Sequence, residues 1–97
     1  MAIESKSKFA VNEATVAVAG TAVQLPDIPV GEACELVVKA KSTNRGTIKI
    51  GESALQAQAG KFTLEPGEAV KLRIGNADKI YADAEIDGDK VELIVEQ

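Results

Sequence analysis

The stretch Phe62–Ile74, F-T-L-E-P-G-E-A-V-K-L-R-I, restricts the possible fold more than any other part of the chain. Leu64 runs into Glu65-Pro66-Gly67-Glu68, where proline presets a turn φ and glycine accepts a positive one. Beyond the turn, Val70, Leu72 and Ile74 share one side of an extended chain, and Lys71 and Arg73 share the other. Lys61–Leu64 and Ala69–Ile74 are therefore expected to form a β-hairpin. A rougher copy lies earlier: Gly31-Glu32-Ala33-Cys34-Glu35-Leu36 aligns with Gly67-Glu68-Ala69-Val70-Lys71-Leu72 at an offset of 36. The copies read either as equivalent strands, one in each sheet of a sandwich, or as chance recurrence of a common turn ending.

The rest of the chain follows the same period. Phe9–Asn12 opens a first strand, Thr15–Ala19 is a short Ala/Val-rich segment ending at Gly20, and Thr21–Leu25 is extended up to Pro26. Pro26 and Pro29 stiffen a loop and deny it ladder donors. In Cys34–Lys41, Cys34, Leu36, Val38 and Ala40 alternate with Glu35, Val37, Lys39 and Lys41. A polar turn, Ser42–Gly46, and Ile48 and Ile50 beyond it predict a second hairpin. Ser53–Ala59 has helix-forming residues but is too short for a stable free helix, so a loop or one helical turn across an end of the sandwich is expected. In Lys79–Ile86, Ile80, Ala82, Ala84 and Ile86 are assigned inward, and Tyr81, Asp83 and Glu85 outward. Asp87-Gly88 predicts a two-residue hairpin turn into Val91, Leu93 and Val95.

About eight short strands with turn residues between them predict an all-β protein, an antiparallel β-sandwich or small jelly-roll-like barrel. Several strand orders fit this pattern. Ninety-seven residues make one domain, assigned to residues 9–97, behind a flexible N-terminal arm, Met1–Lys8. With three aromatics and no Trp, the core must be aliphatic and thin, which makes oligomerisation a plausible aid to stability.

The formal net charge of −4 comes with lysines dispersed among carboxylates, which argues against nucleic acid as a partner. No apolar run approaches the length of a membrane span, and the N terminus lacks the apolar region of a signal peptide. The single Cys34 cannot form an internal disulfide; its strand parity predicts a buried small hydrophobe. The chain has no His, so the commonest general base is missing and no Ser-His-Asp or Cys-His arrangement is available. The chain is thus read as a non-enzyme with no catalytic, cofactor-binding or metal site. The nearest approach to a metal site is Asp83-x-Glu85-x-Asp87-Gly88-Asp89, which resembles the front of an EF-hand loop. Its twelfth position is Ile94 rather than Glu, its flanks are strands, and Asp87-Gly88 is accounted for by a turn. A solvated hairpin is preferred to a weak Ca²⁺ site. Val37, Tyr81 and Ala54–Ala59 are candidate contact positions.

Four segments together carry a family resemblance: Gly46-Thr-Ile-Lys-Ile-Gly51, Phe62-Thr-Leu-Glu-Pro-Gly-Glu68, Leu72-x-Ile74 and Asn76-x-Asp78-Lys-Ile-Tyr81. They resemble the small β-sandwich proteins that decorate or cement the capsid exterior of tailed bacteriophages. The resemblance spans about Gly46–Val95 and lies in structural turns. It implies a virion structural protein, made in the host cytoplasm and bound outside the assembled shell. It also implies the major capsid protein as partner, a homotrimer as the assembled state, and no cofactor. Other readings are a glycan- or receptor-binding module using the loops Ser42–Gly46 and Gly75–Asp78, or a minor head–tail or tail component.

Overall fold

In the computed structural model, which describes residues 9–32 and 34–96, alternation in sequence becomes alternation in burial. The elements in order are β1 (Phe9–Thr15), β2 (Val23–Gln24), β3 (Leu36–Ala40), β4 (Ile48–Gly51), helix α1 (Ala54–Ala59), β5 (Thr63–Leu64), β6 (Ala69–Leu72), β7 (Tyr81–Ala84) and β8 (Lys90–Glu96). A 3-10 turn, Ala77–Lys79, precedes β7. Leu36, Val38 and Ala40 of β3 are fully buried while Val37 and Lys39 between them are half-buried. Ile48 and Ile50, Ala82 and Ala84, and Val91, Leu93 and Val95 fill the same layer, with Val16, Leu25, Ile28, Leu64, Ala77 and Ile80 closing it. The buried cluster is aliphatic throughout, as the composition required. The Met1–Lys8 arm lies outside the described residues.

Two four-stranded antiparallel sheets face each other, ordered β1-β8-β3-β6 and β2-β7-β4-β5. In this order β1 pairs with β8, β2 with β7, β3 with β6 and β4 with β5. The chain is in effect one long hairpin, with α1 at its apex, wound into a jelly-roll sandwich.

This winding corrects all three expected local hairpins. β3 and β4 lie in different sheets, as do β5 and β6, and β7 and β8. The turns at Ser42–Gly46, Pro66-Gly67 and Asp87-Gly88 reverse the chain between sheets rather than within one. Turn residues set a reversal, and strand parity sets a buried face; neither dictates in which plane the reversal occurs. At Pro66-Gly67 the plane is fixed by docking. The Gly67 N–H donates to Ala40 O at 2.8 Å, and the Ala40 N–H donates to Glu68 O at 2.9 Å, tying the turn to the end of β3. Gly67 has φ of 89°, where a side chain is disfavoured.

The offset repeat is also placed differently. Its two copies do not divide between sheets; the first leads into β3 at Leu36 and the second ends on β6 at Leu72, neighbours in one sheet, with Leu36 directly opposite Leu72. Cys34 is half-buried, because it precedes β3 in a turn where its N–H donates to Gly31 O at 2.9 Å. The segment 53–59 is a short helix, with the Ser53 hydroxyl accepting from Gln56 N–H at its start and Gly60 closing its end. The first segment runs on to Thr15 as β1, and the rest of the expected second segment lies outside any strand, with Val16 buried and Ala17 and Val18 exposed.

Two leucines test the layering. Replacing Leu36, fully buried between β8 and β6, by Ala is expected to cost about 2–5 kcal/mol. Leu55→Ala on α1, where the side chain is 79% exposed, is expected to change stability by less than about 0.5 kcal/mol. Urea unfolding midpoints of the two variants measure the difference.

Candidate functional site: an apolar groove

The acidic run from Asp83 on β7 to Asp89 has a definite task, and it is structural. The Asp83 carboxylate accepts from Gly20 N–H at 2.9 Å and Ala84 N–H at 2.8 Å, and Asp87 accepts from Ala19 N–H at 2.7 Å. Glu85 accepts from the Thr47 N–H at 3.0 Å and its hydroxyl at 2.7 Å. Asp89 accepts from Arg45 N–H at 3.1 Å and Gly46 N–H at 2.9 Å. Asp83 and Asp87 thus hold the loop after β1, while Glu85 and Asp89 hold the loop between β3 and β4. The four carboxylates turn to different backbone amides instead of converging on one point. Among the described residues no group of three or more His, Cys, Asp or Glu is placed to hold a metal ion.

Asp83 corrects an assignment made from parity. Its position on β7 is the outward one, yet it is 1% exposed, and Asp89 is 5% exposed. The loop after β1 folds over Asp83 and supplies the amide that compensates its burial. Tyr81, also outward by parity, is half-buried, and Ile86, assigned inward, is half-buried at the turn.

In each of the two end loops proposed to read a ligand, the asparagine side chain is spent internally. Asn44 donates to Lys90 O and accepts from Lys90 N–H, both at 2.8 Å. Asn76 accepts from Ile28 N–H and Asp78 N–H at 3.0 Å and donates to Asp27 at 2.7 Å. On the outer face of the β1-β8-β3-β6 sheet, Lys39, Lys41 and Lys90 pair with Glu13 and Glu92 in an exposed network. The hydrogen bond between Lys41 and Glu13 lowers the Glu13 pKa and raises that of Lys41. Such exposed pairs contribute little to stability.

What remains open is a groove of about 780 Å³ on the β5/β6 side of the sandwich. Its walls are Val70 and Leu72 of β6 with Ile74 beyond them, Ile50 of β4, Phe62 just before β5, and Leu55 of α1. β5 and β6 are the edges of their sheets on this side, and β5 has only two residues against four in β6. The inner face of β6 therefore looks past the end of the opposing sheet, and Val70, Leu72 and Ile74 stay half-buried. Gly51 lets α1 approach: a Cβ there would lie 2.5 Å from Gln56 Cβ and 2.7 Å from Ala57 N. Leu55 and Phe62, 79% and 48% exposed, form the lip, with Lys61, Lys79 and Glu52 around it. The Ala-rich segment singled out in the sequence contributes Leu55, Gln56 and Ala59. The contribution of β6 was invisible there, because its alternation marks a buried face whether or not the opposing sheet reaches across it.

Asp89→Ala strips the acceptor from the Arg45 and Gly46 amides and is expected to destabilise the fold by about 1.5–3 kcal/mol in thermal or urea unfolding. Asp89→Asn should recover part of the loss. Glu85 is held below its ordinary value of 4.5, chiefly by the Thr47 backbone N–H and then by its hydroxyl. A carboxylate with a depressed folded pKa adds stability above its unfolded pKa, and that stability is lost as pH falls through the lower folded value. Thr47→Val should raise the Glu85 pKa part of the way back, read by carboxyl NMR titration.

Comparison of the chain with protein-family models, with curated proteins and with solved structures gives no match in any of the three.

Proposed function

We propose that this chain is a binding protein without enzymatic activity, a decoration protein on the exterior of a tailed-bacteriophage capsid. It is made in the host cytoplasm and seats its apolar groove on the major capsid protein. The observation that carries the reading is the groove itself, an open apolar cleft on a block whose loops are pinned by carboxylates. Contiguous apolar surface of this kind on a small protein marks a protein contact. The resemblance of Gly46–Val95 supplies the class of partner. The jelly-roll order agrees with it by analogy, since viral capsid proteins and lectins share that architecture, and analogy of fold is weaker support than the groove. Lectin-like reading of a glycan by the end loops has less support, because Asn44 and Asn76 are already committed to internal hydrogen bonds.

Cosedimentation of the purified protein with capsid shells lacking it tests the proposal. Saturable binding is expected, and Leu55→Glu and Phe62→Glu should each weaken it roughly tenfold or more by placing a charge in the buried contact. Absence of binding to shells, with binding to tails or to glycans instead, overturns it.

A further inference from the structure

The four sheet edges of this sandwich are not treated alike. β2 and β5 have two residues each, next to Pro26 and Pro66. β6 carries exposed Lys71, with exposed Arg73 just beyond it. These are the devices by which sheet edges avoid pairing with other chains. β1 has none of them: it runs seven residues, F-A-V-N-E-A-T, without Lys, Pro or Gly. Its one charged residue, Glu13, is drawn sideways to Lys41 and Lys90.

The hydrogen-bonding phase of this edge can be read directly. The Val16 N–H, just past the strand, donates toward β8, to Asp89 O at 2.9 Å. The Glu13 N–H points the other way and is met by its neighbour's side chain, Asn12 Oδ1, at 2.7 Å. By alternation, the backbone groups of Val11 and the other odd-numbered residues of β1 face away from the sheet. Val11 is 67% exposed and directly opposite Ile94, itself 41% exposed and opposite Val37. Val37, Ile94 and Val11 form an apolar row on the solvent face that ends abruptly at the β1 edge.

We propose that β1 pairs antiparallel with β1 of a second copy, in the register centred on Val11, joining two sheets into one of eight strands. Val11 then faces its own copy as a hydrogen-bonded pair, and the apolar row continues unbroken across the two-fold axis. Phe9 and Glu13 exchange backbone hydrogen bonds with their counterparts, and the Glu13 N–H leaves Asn12 for the partner. Registers centred on Asn12 or Glu13 keep the same phase. The first sets Val11 against Glu13, and the second sets Glu13 against its own copy, which is unfavourable. The pairing is isologous and closed. It yields a dimer rather than the homotrimer the resemblance implies, and it is independent of capsid binding.

Sedimentation velocity of the purified chain over a range of concentrations, without shells, is the test. The mass is expected to rise from 10.1 kDa toward twice that value. Val11→Lys should lower the association constant roughly tenfold or more, since like charges then meet across the axis. Leu55→Glu, in the groove, should leave it unchanged. In a Cys34→Ser background, Val11→Cys should form an intermolecular disulfide on oxidation, because the facing Cα separation suits one, whereas Asn12→Cys should not. A monomer at every concentration, a trimer, or a dimer abolished by Leu55→Glu instead of Val11→Lys overturns the proposal. Cross-linking through Asn12→Cys alone overturns the register.

Discussion

Each strand in the first half of the chain pairs with its mirror in the second half: β1 with β8, β2 with β7, β3 with β6 and β4 with β5. Only at the apex, across α1, does the chain connect consecutive strands of one sheet. Nearly all of the ladder is therefore non-local, and the loop-closure entropy of long segments must be met before those contacts form. The apex is short and capped, and Gly51 lets it sit directly on β4. Leu36 opposite Leu72 and Val38 opposite Val70 then sit midway along the wound hairpin, and the ends of the two copies of the sequence repeat meet at Leu36 and Leu72.

A wound sandwich places its reversals between sheets; the Gly67 amide still reaches the end of β3, but the amides of Ala19, Gly20, Arg45 and Gly46 need other acceptors. The acidic run answers that shortage. On an extended chain these four side chains would share one face; β7 ends at Ala84 and the chain bends through 85–88, so the segment serves two loops, Ala19-Gly20 and Arg45–Thr47. Each carboxylate substitutes for a missing strand as a hydrogen-bond acceptor. The spacing resembles a calcium loop, but each carboxylate is drawn to the amides of one loop or the other, which keeps apart the oxygens that a cation would need together.

The sequence made the strands and the identity of the core legible, because alternation at period two reports burial on one face. Leu36, Val38, Ile48, Ile50, Val91, Leu93 and Val95 all lie where their parity placed them. Sheet membership was not legible, because Pro66-Gly67 and Asp87-Gly88 encode sharp reversals without encoding their plane. Asp83 was misread for a related reason. Parity assumes that an outward side chain meets water, and the loop after β1 covers this one. The groove was half visible, through Leu55 and the Ala-rich segment around it. Its other wall depends on the lengths of β5 and β6, a tertiary quantity that no single segment carries.

A thin aliphatic core leaves two apolar features outside it, and their positions are not interchangeable. β1 and β6 are opposite edges of the same sheet. The unprotected β1 edge therefore lies away from the groove walled by β6, and occupation of one leaves the other open. A chain joined to its copy through β1 would carry two grooves, one on each outer flank of an eight-stranded sheet. Each groove alone offers a small contact, and two on one rigid body gain avidity from an effective concentration set by their fixed separation. A repetitive surface such as a capsid rewards that geometry wherever its spacing matches. The pinned loops matter for the same reason, since a rigid body loses less entropy in a two-point attachment than one that must be ordered as it binds.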